Sequence, residues 1–65
     1  MLYEIYSVDL STRQECHEED YVGTLEGLRD YLTRNYHIKT FAESYVGKGM
    51  YDCLDKDGQL LVRVK

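Results

Sequence analysis

Cysteine and histidine side chains supply the first chemistry to consider, because a zinc site or a cysteine nucleophile would need them. The chain has two of each: Cys16, His17, His37 and Cys53. Structural zinc sites usually place paired ligands about two to four residues apart, whereas adjacent Cys16 and His17 would point to opposite faces of a strand. The spacing therefore predicts no metal site. We also expect no cofactor and no catalytic site, and therefore a protein that is not an enzyme. We expect Cys53 in the core, and no disulfide, since two isolated cysteines fit a reducing compartment.

The segment Asp55-Lys56-Asp57-Gly58 resembles the start of a calcium loop, but the bidentate glutamate that such a loop requires does not follow. Asp57-Gly58 between two β-prone runs instead predicts a C-terminal hairpin with a type I′ turn, in which both central residues have positive φ. A three-residue bulged turn is the competing arrangement. The type I′ turn predicts four cross-strand pairs: Tyr51 with Val64, Asp52 with Arg63, Cys53 with Val62, and Leu54 with Leu61.

A dense acidic run provides the candidate partner-binding residues, which are Glu15, Glu18, Glu19 and Asp20. A run of this kind is often only a solvated face of the protein. The alternative is a docking patch for another protein with a basic surface. The docking patch is the leading hypothesis for a function of these residues.

A basic and aromatic set in the second half of the chain provides the competing hypothesis. A strip of this composition can stack bases and contact phosphates, and its members are Arg34, Tyr36, Lys39, Phe41, Tyr45, Lys48, Arg63 and Lys65. Most acidic residues precede this half, and the whole chain has a formal net charge of −4. Since nucleic-acid affinity depends largely on Lys and Arg contacts, this charge makes nucleic acid the less favoured partner.

The elements that must position these residues begin with one helix. Thr24 is suited to the N-cap, and the helix should extend to Tyr36. An apolar stripe at helical spacing, expected to face the core, consists of Leu25, Leu28, Leu32 and Tyr36. Gly27 is the unusual helix residue: close approach of a partner would explain it, as would the lower cost of glycine in a first turn.

Two segments are ambiguous beside the clear strand predicted for Leu2–Val8. Residues 13–21 fit either a charged edge strand or an acidic loop, and residues 40–46 fit either a short strand or a continuation of the helix. The sequence therefore predicts an α+β fold over residues 1–65 as a single domain. One helix packs on an antiparallel sheet of three to five strands in a ββαββ-like order.

The functional expectation follows mainly from eliminating catalytic and metal-binding constellations. No segment has the roughly 20 apolar residues that span a membrane, so we expect a cytoplasmic protein without membrane contact. Small, acidic, cysteine-poor chains are typical of accessory proteins of bacteria or their phages. We expect a small non-enzymatic protein-binding or inhibitory module that uses its acidic half or an open sheet edge; nucleic-acid binding is the alternative, and a homodimer is compatible with both.

Overall fold

Five antiparallel strands and one helix make up the structure, a computed structural model that describes residues 1–65. In chain order they are β1 (Leu2–Val8), β2 (Glu15–Val22), α1 (Leu25–Tyr36), β3 (Thr40–Glu43), β4 (Tyr51–Leu54) and β5 (Leu60–Val64). The sheet order is β2-β1-β5-β4-β3. The predicted α+β class is therefore confirmed. The ββαββ order is wrong, because part of segment 40–46 pairs with β4 and adds a third strand after the helix.

Strands β1 and β2 form the first hairpin, and a loop held by Asp9 connects them. The Asp9 carbonyl accepts a hydrogen bond from the Arg13 amide at 2.6 Å, and the Asp9 amide donates to the Gln14 carbonyl at 2.9 Å. Asp9 Oδ1 also accepts from the amide and hydroxyl of Ser11, which lowers the pKa of the Asp9 carboxyl. The segment that was ambiguous over residues 13–21 is thus a strand from Glu15 onward.

The helix begins where the sequence predicts. Thr24 is the N-cap, and its hydroxyl accepts a hydrogen bond from the Gly27 amide at 3.0 Å, which satisfies one of the free donors of the first turn. The helix ends at His37, which has a left-handed backbone with φ of 58°. This helix is neither long nor apolar enough to cross a membrane.

The core lies between α1 and one face of the sheet. It consists of seven buried residues: Ile5, Leu28, Leu32, Ile38, Cys53, Val62 and Val64. Leu28 and Leu32 are fully buried as predicted, but Leu25 is 39% exposed and does not belong to the core. Leu25 is the first residue of the helix, and only two residues separate it from β2.

Gly27 has an intramolecular explanation. The side chain of Tyr21, on β2, reaches across the first helical turn, and a Cβ atom at Gly27 would lie 2.6 Å from the Tyr21 hydroxyl. Glycine leaves room for the close approach of this tyrosine, and no partner is needed to explain it.

The C-terminal hairpin forms, but its turn is not type I′. Only Gly58 has positive φ, at 81°, and the Gly58 amide donates to the Asp55 carbonyl at 3.0 Å while the Asp55 amide donates to the Gln59 carbonyl at 2.8 Å. These bonds close a three-residue turn with glycine in the left-handed position. Asp55 Oδ1 accepts from the amides of Asp57 and Gln59, which favours this turn over type I′.

The predicted hairpin register is nevertheless correct for three of its four pairs. Tyr51–Val64, Asp52–Arg63 and Cys53–Val62 are observed, whereas Leu54 pairs with Leu60 instead of Leu61. A bulge at Leu61 compensates for the longer turn, so both arrangements give the same register beyond Cys53.

Candidate functional site

The face of the sheet opposite α1 is covered by no other element. Because side chains alternate along each strand, the neighbours of the buried residues Ile5, Val62 and Val64 point to this second face. It carries a set of polar and charged side chains: Glu4, Tyr6, Glu15, His17, Asp20, Asp52, Arg63 and Lys65. We call this set the uncovered face.

Arg63 is the centre of an ion-pair network on the uncovered face. Its Nε atom donates to Asp52 Oδ1 at 2.8 Å, and one Nη atom donates to Glu15 Oε2 at 2.9 Å. Lys65 Nζ contacts Glu15 Oε1 at 2.6 Å and lies 4.6 Å from the centre of the Tyr6 ring. The hydrogen bond from Lys65, followed by that from Arg63, lowers the pKa of Glu15. Both cations are therefore already neutralised by carboxylates of the same chain.

A second group on the uncovered face joins β1 and β2. The Tyr6 hydroxyl donates to Glu4 at 2.6 Å, which is the main cause of the raised pKa of Tyr6. The Tyr6 ring lies 5.2 Å from the imidazole of His17, whose Nε2 atom is 2.7 Å from Asp20 Oδ1. These side chains are held in place by neighbours while they remain accessible to solvent.

The structure divides the four acidic candidates between two faces. Glu15 and Asp20 lie on the uncovered face. Glu18 is the extra residue at a β-bulge, since Ile5 pairs with Glu19 while Tyr6 pairs with His17, and its carboxylate accepts a hydrogen bond from the Ser7 hydroxyl at 2.8 Å. The four carboxylates therefore do not form one continuous patch.

Glu19 points toward the helix. Its carboxylate accepts hydrogen bonds from the hydroxyls of Tyr31 at 2.6 Å and Tyr36 at 2.5 Å. These two bonds lower the pKa of Glu19, and burial, together with the bond to Glu19, raises the pKa of Tyr36. Glu19 thus connects β2 to α1, a role that the sequence does not reveal because the face on which Glu19 lies depends on the register of β2 with β1.

Strand β2 is the outermost strand of the sheet, and part of its backbone is unpaired. Glu4 and Lys65 exchange both amide–carbonyl hydrogen bonds, at 3.0 and 2.9 Å, so the backbone groups of Glu4 face β5. Asp20 lies opposite Glu4 on the other side of β1. Since bonded and non-bonded pairs alternate in an antiparallel ladder, the N–H and C=O of Asp20 point outward, as do those of Val22 two residues further on.

Exposed apolar side chains lie at the same end of this edge. Leu2 and Val22 form a cross-strand pair and are 58% and 76% exposed, with Met1 exposed beside them. These residues belong to no motif in the sequence. In the sequence, Asp20 and Val22 lie two residues apart and would share one face of a strand. Only the structure shows that Leu2 lies opposite Val22.

The basic and aromatic residues of the competing hypothesis do not share one surface. Arg34 is exposed on α1, whereas Arg63 is engaged on the uncovered face. Phe41 stacks on Tyr51 with ring centres 5.0 Å apart, and Tyr45 is fully exposed in the loop after β3. The cations Arg34 and Arg63 therefore lie on different elements, and neither contacts the stacked rings of Phe41 and Tyr51.

The cysteine and histidine residues are also dispersed. Cys53 is fully buried, and burial raises the pKa of its thiol to about 12. Cys16 is exposed on β2, and two strands lie between it and Cys53, a separation of roughly 14 Å that is too long for a disulfide. His37 is at the helix C-terminus, as expected.

Comparison of the chain with models of protein families finds no match, and neither the curated proteins nor the solved structures include one that matches it. Its function must therefore be inferred from its own geometry.

Proposed function

We propose that this protein is a small, non-enzymatic protein-binding module, and that the outer edge of β2 receives an extended, basic segment of a partner protein. The observation that carries the proposal is the unpaired backbone of Asp20 and Val22 on an outermost strand of eight residues. Such an edge can accept one more strand through main-chain hydrogen bonds.

Charge determines which kind of strand fits this edge. Glu18 and Asp20 are exposed along β2, and His17 is paired to Asp20. Opposite charges on neighbouring strands are favourable, and like charges are unfavourable. A segment with Lys or Arg at alternate positions therefore matches β2, while the exposed Leu2 and Val22 offer contact to an apolar side chain of the same segment.

The same reasoning opposes a dimer formed by pairing β2 with β2 of a second copy. Four of the eight residues of this strand are acidic, so two copies would bring carboxylates close together across the new ladder. A partner of opposite charge is the better match.

Nucleic-acid binding receives no specific support from the geometry. Arg63 and Lys65 are paired with Asp52 and Glu15, and a phosphate would have to displace these carboxylates. We therefore retain protein binding as the single proposal.

The test uses synthetic extended peptides and amide NMR spectra of the labelled protein. One peptide has alternating Val and Lys, and the matched peptide has Glu in place of each Lys. We expect the basic peptide to shift the amide signals of β2, Asp20 and Val22 above all, and the acidic peptide to have no effect. Equal responses to both peptides, or shifts confined to other strands, would overturn the proposal.

Two proline variants provide the matched control. Asp20→Pro removes an outward N–H and one carboxylate from the β2 edge, and should weaken binding of the basic peptide about tenfold or more. Glu43→Pro removes an outward N–H and one carboxylate from β3, at the opposite edge of the sheet. The amide of Ser44 donates to the Met50 carbonyl, so the amide of the preceding residue, Glu43, points outward. Because neither amide donates a hydrogen bond within the sheet, both variants should fold. Only Asp20→Pro should lose binding of the basic peptide.

A further inference from the structure

The structure has one pocket, at the opposite end of the sheet from Leu2 and Val22. Its volume is about 300 Å³, and six residues line it: Val8, Leu10, Arg13, Glu15, Leu60 and Arg63. This volume lies near the lower limit for sites that bind small organic molecules. The last residue of β1, the connecting loop and the first residue of β5 supply three aliphatic walls.

Arg13 is held beside this pocket in an uncommon conformation. Its φ is 61°, a left-handed value that is unfavourable for a residue with a side chain. The bond from the Arg13 amide to the Asp9 carbonyl and the cross-bond from Asp9 to Gln14 maintain this conformation. Backbone strain of this kind persists only where surrounding contacts impose it, and it is often found at binding sites.

The charged residues that line the pocket differ in whether they have an ion-pair partner. Arg63 binds both Asp52 and Glu15, and Glu15 binds both Arg63 and Lys65. Arg13 makes no ion pair. Arg13, which is exposed, is therefore the one charged residue of the pocket lining without an ion-pair partner.

We propose that this pocket binds an aliphatic carboxylate. The carboxylate pairs with the guanidinium of Arg13, a geometry that allows two parallel hydrogen bonds. The hydrocarbon chain lies against Val8, Leu10 and Leu60. Two sources share this chemistry: a free short-chain acid, and the C-terminal residue of a protein that ends in an aliphatic side chain. The site lies at the other end of β2 from Asp20 and Val22 and does not depend on the proposed docking there.

The first test compares small probes by amide NMR. Hexanoate should give saturable shifts at Val8, Leu10, Arg13 and Leu60, with weaker effects from acetate, which lacks the chain, and from hexanol and hexylammonium, which lack the negative charge. A response to hexanol equal to that of hexanoate would overturn the proposal, as would hexanoate shifts that lie elsewhere or do not saturate.

Variants identify the residues that carry the binding. Arg13→Gln should weaken hexanoate binding about tenfold, the loss expected for a charge-assisted hydrogen bond, and Leu10→Ser should weaken hexanoate more than acetate. Arg34→Gln, an equal change of charge on the exposed helix surface, is the control and should bind normally. Unchanged hexanoate affinity in a folded Arg13→Gln protein would refute the assignment.

A final comparison distinguishes the two sources. A short peptide that ends in leucine is tested with a free and with an amidated C-terminus. Tighter binding of the free-acid peptide than of hexanoate assigns a protein C-terminus, and the reverse order assigns a small acid. Equal binding of the free and amidated peptides, combined with no hexanoate binding, would contradict the site altogether.

Discussion

Replacing Leu28 by alanine should remove a large part of the stability of this protein. Leu28 is fully buried against the sheet, and such a substitution costs about 2–5 kcal/mol through lost burial and the cavity left behind. Proteins have about 0.05–0.15 kcal/mol of stability per residue, so a chain of 65 residues has about 3–10 kcal/mol in total. At the middle of both ranges, Leu28→Ala should therefore lose about half of the free energy of unfolding.

Leu25 provides a matched control on the same helix. It is 39% exposed, so Leu25→Ala removes the same atoms from a site that is not in the core and should cost about 1 kcal/mol or less. Urea denaturation followed by circular dichroism measures both free energies of unfolding. Leu28→Met, which nearly preserves volume, should cost less than about 1.5 kcal/mol. Similar losses for Leu28→Ala and Leu25→Ala would refute the core described above.

Three further predictions concern single contacts. Glu19→Gln should destabilise the protein more than Glu18→Gln, because Glu19 accepts hydrogen bonds from two tyrosine hydroxyls of α1; equal urea midpoints would contradict this. These bonds lower the pKa of Glu19, so the Glu19 carboxylate should stabilise the fold fully above the pKa that it has in the unfolded chain. This stabilisation should be lost as the pH falls through the pKa of Glu19 in the folded protein. The loss of stability in acid should therefore be smaller in Glu19→Gln. Gly58→Val should lower the melting temperature strongly, whereas Gly58→Asn should be tolerated, because φ at this position is 81°; equal melting temperatures would contradict the turn. Gly27→Ala should lack the gain of about 1 kcal/mol that alanine usually brings to a helix, and the gain should return when Tyr21→Phe removes the hydroxyl that lies 2.6 Å from the added carbon; a gain in the presence of Tyr21 would refute the clash.

The local elements were predictable from the sequence because their signals are local. The N-cap at Thr24, the buried pair Leu28 and Leu32, and the strand Leu2–Val8 follow from capping chemistry and side-chain periodicity. The register of Tyr51 with Val64 was also predictable, although the turn type was not. There the Asp55 side chain stabilises a longer turn, and the bulge at Leu61 restores the register.

The placement of the candidate site depended on contacts between distant residues. Leu25 and Leu28 have the same chemistry and belong to one apolar stripe, about 60° apart around the helix, and only the position of the sheet beneath the helix buries Leu28 and leaves Leu25 partly exposed. Likewise, Glu19 and Asp20 alternate across β2, and the bulge at Glu18 places Glu15 on the face of Asp20 instead of the face of Glu19.

The sequence by itself determined the helix, the first strand, the C-terminal hairpin, the α+β class and the acidic character of the first half of the chain, since these depend on short-range preferences and composition. Only the tertiary structure decided which strands are outermost, which charges are already paired and which remain free. The pairing of Glu15 with Arg63 joins residues from opposite ends of the chain. Only this pairing shows that Arg13, in the same pocket lining, is the arginine without a carboxylate partner. Such relations arise from the order of strands in the sheet, because a cross-sheet contact is set by which strands become neighbours and not by the residues adjacent in sequence.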